Sequence, residues 1–108
     1  MSWDIELEID AGGDRMESLW DSNMTYNVSP MFYDAFEMET GFRGLDRMRT
    51  TEAVPILERA IKKMRADPDK YKAMESDNKW GTYDQALGFL KAVLYHCHKY
   101  PAATIRIY

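Results

Sequence analysis

The chain has 108 residues, of which 45% are hydrophobic and 13% aromatic, and this composition predicts one folded domain, residues 1–108, rather than a disordered polypeptide. The 14 basic and 18 acidic side chains give a formal net charge of −4, and because a generic nucleic-acid binder is basic, this balance disfavours nucleic acid as a partner. The single cysteine, Cys97, excludes an intramolecular disulfide and a cysteine-rich zinc site.

The first predicted element is a β-hairpin. Apolar residues alternate with acidic ones from the start of the chain, and the apolar positions are Trp3, Ile5, Leu7 and Ile9. This period of two is typical of a strand with one face on a core and the other in water. The glycine pair in residues 11–14 predicts a turn, and residues 16–20 are expected to return as a second strand.

An irregular polar stretch over residues 21–29 then precedes the first predicted helix. Ser29 followed by Pro30 is typical of a helix cap with proline in the first turn, and Gly41 is expected to end this helix. A second helix is predicted to open at residues 50–52, with Pro55 tolerated near its first turn.

The remaining elements are two further helices and a strand. Asp67 and Pro68 predict a short helix through Met74, and Thr82 with Gln85 forms a capping box that opens the last helix. Residues 104–108 alternate again and predict a final strand. We therefore expect an α+β fold: a small antiparallel sheet, made of the N-terminal hairpin plus the C-terminal strand, with three to four helices packed on one face.

The start of the chain also bears on location. It has neither the basic residues nor the apolar run of a signal peptide, and no stretch approaches the ~18 apolar residues of a membrane helix. We expect a cytoplasmic protein with no membrane partner.

Charge is unevenly distributed along the chain. Residues 1–40 hold ten acidic side chains and one basic one, whereas the remainder carries a net charge of +5. One interpretation is a set of solvated faces that neutralise one another in the fold. The other is a dipolar molecule that forms a homo-oligomer or attracts an anionic partner to its middle third.

Sequence patterns give little indication of catalysis. His96, Cys97 and His98 are adjacent on a predicted helix, where shared metal ligation prefers spacings of three or four residues, so we expect no metal site and no cofactor. Cys97 continues the apolar face of that helix and is expected in the core. Glycine and serine patterns of hydrolases and nucleotide-binding folds are not present in the sequence, which makes an enzyme the less favoured class.

Two polar and aromatic segments are candidate binding sites for a protein or a small polar ligand. The first runs from Trp20 to Tyr33, and its candidate residues are Trp20, Asp21, Asn23, Thr25, Tyr26, Asn27 and Ser29. The second contains Trp80 and Tyr83. Asparagine donates and accepts hydrogen bonds, but the same side chains also brace irregular loops. Trp80 is expected either to cover the sheet edge or fill a gap in the core, or to form one wall of the same pocket as the Asn23–Asn27 loop.

Five segments carry a resemblance to known sequences, and they are Ser2–Asp10, Asn23–Phe32, Ile56–Ala60, Trp80–Leu87 and Pro101–Ile105. Together these segments resemble a family of small uncharacterised proteins found in actinobacteria and their phages. The segments span nearly the whole chain, and the Asn-x-Thr-x-Asn-Val-x-Pro-Met pattern is the most specific of them, although Tyr26 and Phe32 stand where other residues are common. The resemblance implies a phage or bacterial accessory protein, acting in the cytoplasm of a bacterial host, and carries no activity or residue roles.

Three hypotheses of function follow from the sequence. The favoured one is a non-enzymatic binding module that engages a host protein or small polar ligand through the Trp20–Tyr33 segment. The second is a small enzyme acting on a nucleotide or amide, with Asp21, Tyr26 or Asp84 transferring a proton. The third is a self-assembling structural protein, which the charge asymmetry suggests.

Overall fold

An antiparallel sheet lies along one side of the computed structural model, which describes residues 2–108. Over that range the sheet has three strands, β1 (Ser2–Gly12), β2 (Arg15–Thr25) and β3 (Thr104–Ile107), in the order β2-β1-β3. The predicted alternation is confirmed at Trp3, Ile5 and Leu7, which are all buried, whereas Ile9 is only half-buried. The sequence thus placed the hairpin and the C-terminal strand correctly in an α+β fold.

Strand β2 is longer than the sequence predicted. Residues 21–25 continue the strand instead of forming an irregular loop, with Asp21 opposite Glu6 and Asn23 opposite Asp4. Asp and Asn are poor strand formers, but here they lie on the solvent side of the sheet, while Ser22 pairs with the buried Ile5. Pairing with β1 outweighs their low intrinsic propensity.

A β-bulge in β2 redirects two large side chains. Leu7 pairs with Trp20 and the next residue, Glu8, pairs with Ser18, so Leu19 is an extra residue on β2. A bulge of this kind bends the strand and re-aims its side chains. Both Leu19 and Trp20 consequently pack against the core and are partly buried.

Four α-helices cover one face of the sheet within residues 2–108. They are α1 (Ser29–Ala35), α2 (Thr50–Ala66), α3 (Pro68–Lys72) and α4 (Tyr83–Lys99), and two short 3-10 helices span Tyr26–Val28 and Gly41–Leu45. The capping box of α4 is confirmed: Thr82 Oγ1 accepts from the Gln85 N–H at 3.2 Å, and Gln85 Oε1 accepts from the Thr82 N–H at 3.1 Å.

Several predicted helix ends are wrong by a few residues. Helix α1 includes Ser29 and is preceded by Val28 as its cap, and it ends at Ala35, so Gly41 opens a 3-10 helix rather than ending α1. Helix α3 ends at Lys72 instead of Met74. Pro55 lies in the second turn of α2, on its exposed side, where it removes one main-chain hydrogen bond.

One continuous core lies between the sheet and the helices. Its largest fully buried side chains include Phe32, Phe36, Phe42, Ile5, Leu7, Leu57, Leu90 and Tyr71. The outer edge of β3 is covered by the segment before α2, because the Arg47 N–H donates to the Ile105 carbonyl at 2.7 Å and the Ile105 N–H donates to the Met48 carbonyl at 2.8 Å. None of the helices within Ser2–Tyr108 is long and apolar enough to cross a membrane.

The hairpin projects beyond the rest of the molecule. The pairing of β3 with β1 stops at Glu8, and every residue from 10 to 18 is exposed. We call residues 10–18 the hairpin arm. The molecule accordingly measures 47 × 26 × 23 Å.

Candidate functional site

The side of the sheet opposite the helices carries a cluster of acidic and polar side chains, which we call the open face. Strand alternation and cross-strand register bring its members together from all three strands. They are Asp4, Glu6, Glu8, Asp21, Asn23, Arg106 and Tyr108. Asp4, Asp21, Asn23 and Tyr108 are exposed, so this face is available to a partner.

A groove of about 360 Å³ runs across the open face. It is lined by Asp4, Ile5, Glu6, Asp21, Ser22, Asn23 and Tyr108. The lining therefore combines three carboxylates with a carboxamide and a phenol. Such groups accept hydrogen bonds readily and attract cations.

Carboxylates are crowded at the centre of this face. Burial, a hydrogen bond with Glu8, and the negative charges of Glu8 and Asp21 together raise the pKa of Glu6 above its ordinary value. Arg106 opposes this shift, but its Nε lies 3.3 Å from Asp46 Oδ1, so its charge is shared with a carboxylate outside the open face. The open face therefore carries a net negative charge.

The Tyr108 side chain lies beside these carboxylates on the open face. Its hydroxyl donates to Glu8 Oε1 at 3.3 Å, and the Arg106 guanidinium lies 5.4 Å from the centroid of its ring. The backbone of Tyr108 pairs with Asp4 through two hydrogen bonds of 2.8 and 3.1 Å. These contacts fix a phenol ring at one wall of the groove.

The candidate residues of β2 fall on two opposite faces of the sheet. Asp21 and Asn23 line the groove of the open face. Trp20 lies on the other face and stacks on His96 of α4, with ring centroids 4.2 Å apart. The sequence grouped these three residues as one loop, whereas the strand separates them.

The candidate residues after β2 mainly brace their own segment. Thr25 Oγ1 accepts from the Asn27 N–H at 3.3 Å, and the Ser29 hydroxyl donates to the Tyr26 carbonyl at 2.6 Å. The Tyr26 ring packs edge-on against Trp3, with centroids 4.8 Å apart, and Asn27 is half-buried. These contacts are of the loop-bracing kind.

The Trp80 segment meets the Thr25–Val28 segment at a glycine. Gly81 is buried, and a methyl group at this position would lie 2.7 Å from both Thr25 Cγ2 and Val28 Cγ1. Trp80 itself does not fill the core, because 71% of it is exposed. Tyr83 is only 5% exposed, and its hydroxyl donates to the Met64 carbonyl at 3.1 Å, which places it in the core.

The groups considered for catalysis lie apart. Asp21 is on the open face, Tyr26 packs on Trp3 and Asp84 is exposed in the first turn of α4. Cys97 is buried as expected, and burial raises its pKa to about 12. In the part of the chain that the structure describes, no group of three or more His, Cys, Asp or Glu side chains is arranged to hold a metal ion.

Of the seven residues that line this groove, the sequence singled out only Asp21 and Asn23 as candidate site residues. The sequence pattern puts Asp4 and Glu6 on the solvent side of β1 and Tyr108 at the end of the final strand, without a binding role for any of the three. The alternating acidic residues of β1 did signal a charged face, but the proximity of Tyr108 depends on the pairing of the first and last strands. Local sequence patterns cannot reveal a contact across 100 residues.

No protein-family model, no curated protein and no solved structure matches this chain. The open face offers carboxylates, an amide and a phenol, and these groups accept hydrogen bonds from ammonium and guanidinium ions.

Proposed function

We propose that this protein is a non-enzymatic binding module whose open face engages a protein partner through lysine or arginine side chains. The observation that carries the proposal is the convergence of Asp4, Glu6 and Asp21 on one groove. Asp21 and Asn23, which belong to the Trp20–Tyr33 segment that the sequence makes a candidate site, both line this groove.

A cationic partner would relieve an electrostatic cost of the free protein. Glu6 and Glu8 lie close enough for their charges to raise the pKa of Glu6, and Asp21 adds to the effect. A lysine or arginine in the groove would form charge-assisted hydrogen bonds with these carboxylates. Tyr108 adds a ring against which a cation can pack.

The class of partner follows from this chemistry. A groove of about 360 Å³ accommodates side chains rather than a folded domain, so the partner presents a basic segment to it. For a phage or bacterial accessory protein, which the resemblance implies, the partner is a host protein with such a segment. If the ligand is instead the small polar molecule predicted from the sequence, the carboxylates of this groove favour one with a positive charge.

Peptide binding tests the proposal directly. A ten-residue peptide of alternating lysine and serine, and a matched peptide of alternating glutamate and serine, are titrated against the protein by isothermal calorimetry. We expect only the lysine peptide to bind. The double substitution Asp4→Asn/Asp21→Asn removes two exposed carboxylates of the groove and is expected to weaken binding about tenfold, or about 1.4 kcal/mol.

A matched control separates the groove from overall charge. Glu39→Gln/Glu58→Gln removes the same charge from exposed positions outside the open face and should leave lysine-peptide binding within about twofold of the unmodified protein. Equal loss in both double variants would mean that net charge, rather than the groove, attracts the peptide. Equal binding of both peptides would contradict the proposal outright.

A further inference from the structure

A second groove lies between α2 and the residues at and just after the end of α1, away from the open face. It has a volume of about 550 Å³ and is lined by both apolar and basic residues. We call its apolar residues, which include Ala35, Met38 and Ile56, the floor, and its basic residues Arg59, Lys62 and Lys63 the wall. We call this cavity the helix groove.

Positive charge in the helix groove is mostly uncompensated. Arg59 and Lys62 are exposed, and within residues 2–108 neither forms an ion pair shorter than 4 Å. Lys63 Nζ donates to the main-chain carbonyl of Asp34 at 2.8 Å, and Glu37 is the carboxylate that lines the groove. A groove of this kind is suited to a segment with an apolar side chain flanked by acidic ones.

The hairpin arm has that composition. Its acidic residues are Asp10, Asp14 and Glu17, and Arg15 is its one basic residue. Met16 lies among them, and 53% of it is exposed. Gly12 and Gly13 have positive φ values of 99° and 61°, which allows the tip to turn tightly and remain narrow.

We infer that this protein self-associates by inserting the hairpin arm of one copy into the helix groove of a second copy. Met16 would lie on the floor formed by Met38 and Ile56, where methionine side chains adapt to each other readily. The carboxylates of the arm would face Arg59 and Lys62. Apolar contact and charge complementarity thus select the same pairing.

The geometry of this contact determines what kind of assembly forms. Arm and groove are different surfaces, so the contact is head-to-tail and leaves a free arm and a free groove on every dimer. The tip of a hairpin buries less area than a standard interface of about 1,600 Å². The association is therefore weak, grows with chain concentration and depends on salt.

Sedimentation velocity of the full chain tests this inference. We expect the mean mass to rise with concentration in low salt. It should return to that of the monomer as ionic strength increases from about 0.1 M to about 1 M, where the screening length falls from about 10 Å to about 3 Å. A protein that remains monomeric at every concentration in low salt would overturn the inference.

Two defective variants provide the decisive experiment. The arm variant Met16→Ser/Glu17→Gln and the groove variant Arg59→Gln/Lys62→Gln change only exposed residues and introduce no new charge, so both should fold and neither should attract the other's altered surface. Each is expected to be monomeric alone. Mixed together, they should form one-to-one dimers and nothing larger, because the arm-defective chain keeps its groove and the groove-defective chain keeps its arm.

The mixing result also distinguishes a specific contact from general charge attraction. If the mixture stays monomeric, or if either variant alone associates as the unmodified chain does, the arm does not bind the groove. The open-face variant Asp4→Asn/Asp21→Asn serves as the control and should associate normally. Loss of association in that control would assign the contact to the open face instead and refute the inference.

Discussion

The indole ring of Trp20 lies flat on the imidazole ring of His96, with ring centroids 4.2 Å apart and an angle of 8° between their planes. Through this stack the edge strand β2 packs against the C-terminal part of α4. His96 is itself held in place, because its Nδ1 lies 2.8 Å from the Ala92 carbonyl oxygen. His96, which the sequence did not single out as a packing residue, is thus a packing partner for the sheet.

A double-mutant cycle should reveal the energy of this stack. We expect Trp20→Ala and His96→Ala each to lower the free energy of unfolding, and the pair to show a coupling of about 1 kcal/mol, the typical value for an aromatic contact. Urea denaturation of the four proteins measures it. Fully additive effects would show that the two rings touch without stabilising each other.

Gly81 and Gly88 form a matched pair for substitution by alanine. Gly81 has a φ of 81°, and an added methyl would meet Thr25 and Val28 at 2.7 Å, so Gly81→Ala should lower the free energy of unfolding by more than about 1 kcal/mol. Gly88 lies within α4 and has nothing within 4 Å of the added methyl, so Gly88→Ala should raise it by about 0.5–1 kcal/mol. Thermal unfolding should show a lower melting temperature for Gly81→Ala and a higher one for Gly88→Ala than for the unmodified protein.

The Tyr71 hydroxyl connects α3 to α1 by donating to Asp34 Oδ2 at 2.6 Å. Together with Lys70, whose Nζ lies 3.0 Å from Asp34 Oδ1, this hydrogen bond lowers the pKa of Asp34 below its ordinary value. We expect Tyr71→Phe to lower the free energy of unfolding by about 1–2 kcal/mol at neutral pH.

The loss of stability caused by Tyr71→Phe should be smaller in acid than at neutral pH. A carboxyl whose pKa is lowered by folding stabilises the protein above its unfolded-state pKa, and that stabilisation is lost as pH falls through the folded-state pKa. The difference between Tyr71→Phe and the unmodified protein should therefore shrink below the ordinary aspartate value of 3.8. A difference that is constant from neutral to acid pH would show that the hydrogen bond does not depend on the charge of Asp34.

Glu6 should show the opposite pH dependence. Its pKa is raised in the folded protein, so its contribution to stability is fully present below its unfolded-state pKa and declines as pH rises through the folded-state pKa. Glu6→Gln is expected to raise the free energy of unfolding at neutral pH by a few tenths of a kcal/mol, on the scale of surface substitutions. Denaturation at several pH values should show that gain disappearing below 4.5, the ordinary value for this group.

The sequence by itself determined the secondary-structure elements whose signals are local. The alternation of Trp3, Ile5 and Leu7 predicted β1, and the Thr82–Gln85 capping box located the start of α4 to the residue. These predictions succeeded because hydrophobic periodicity and helix capping involve neighbouring residues only. Residues 21–25 were misjudged for the same reason, since their strand conformation comes from pairing with β1.

Tertiary structure alone decided which of the candidate side chains share a surface. The bulge at Leu19 and the register of the sheet turn Trp20 toward His96 while Asp21 and Asn23 join Asp4, Glu6 and Tyr108 on the open face. The sequence also revealed that acidic residues are concentrated in residues 1–40, but not that three of them line one groove and three others lie in a projecting arm. Strand pairing brings together residues 100 positions apart, and neither periodicity nor composition encodes that pairing.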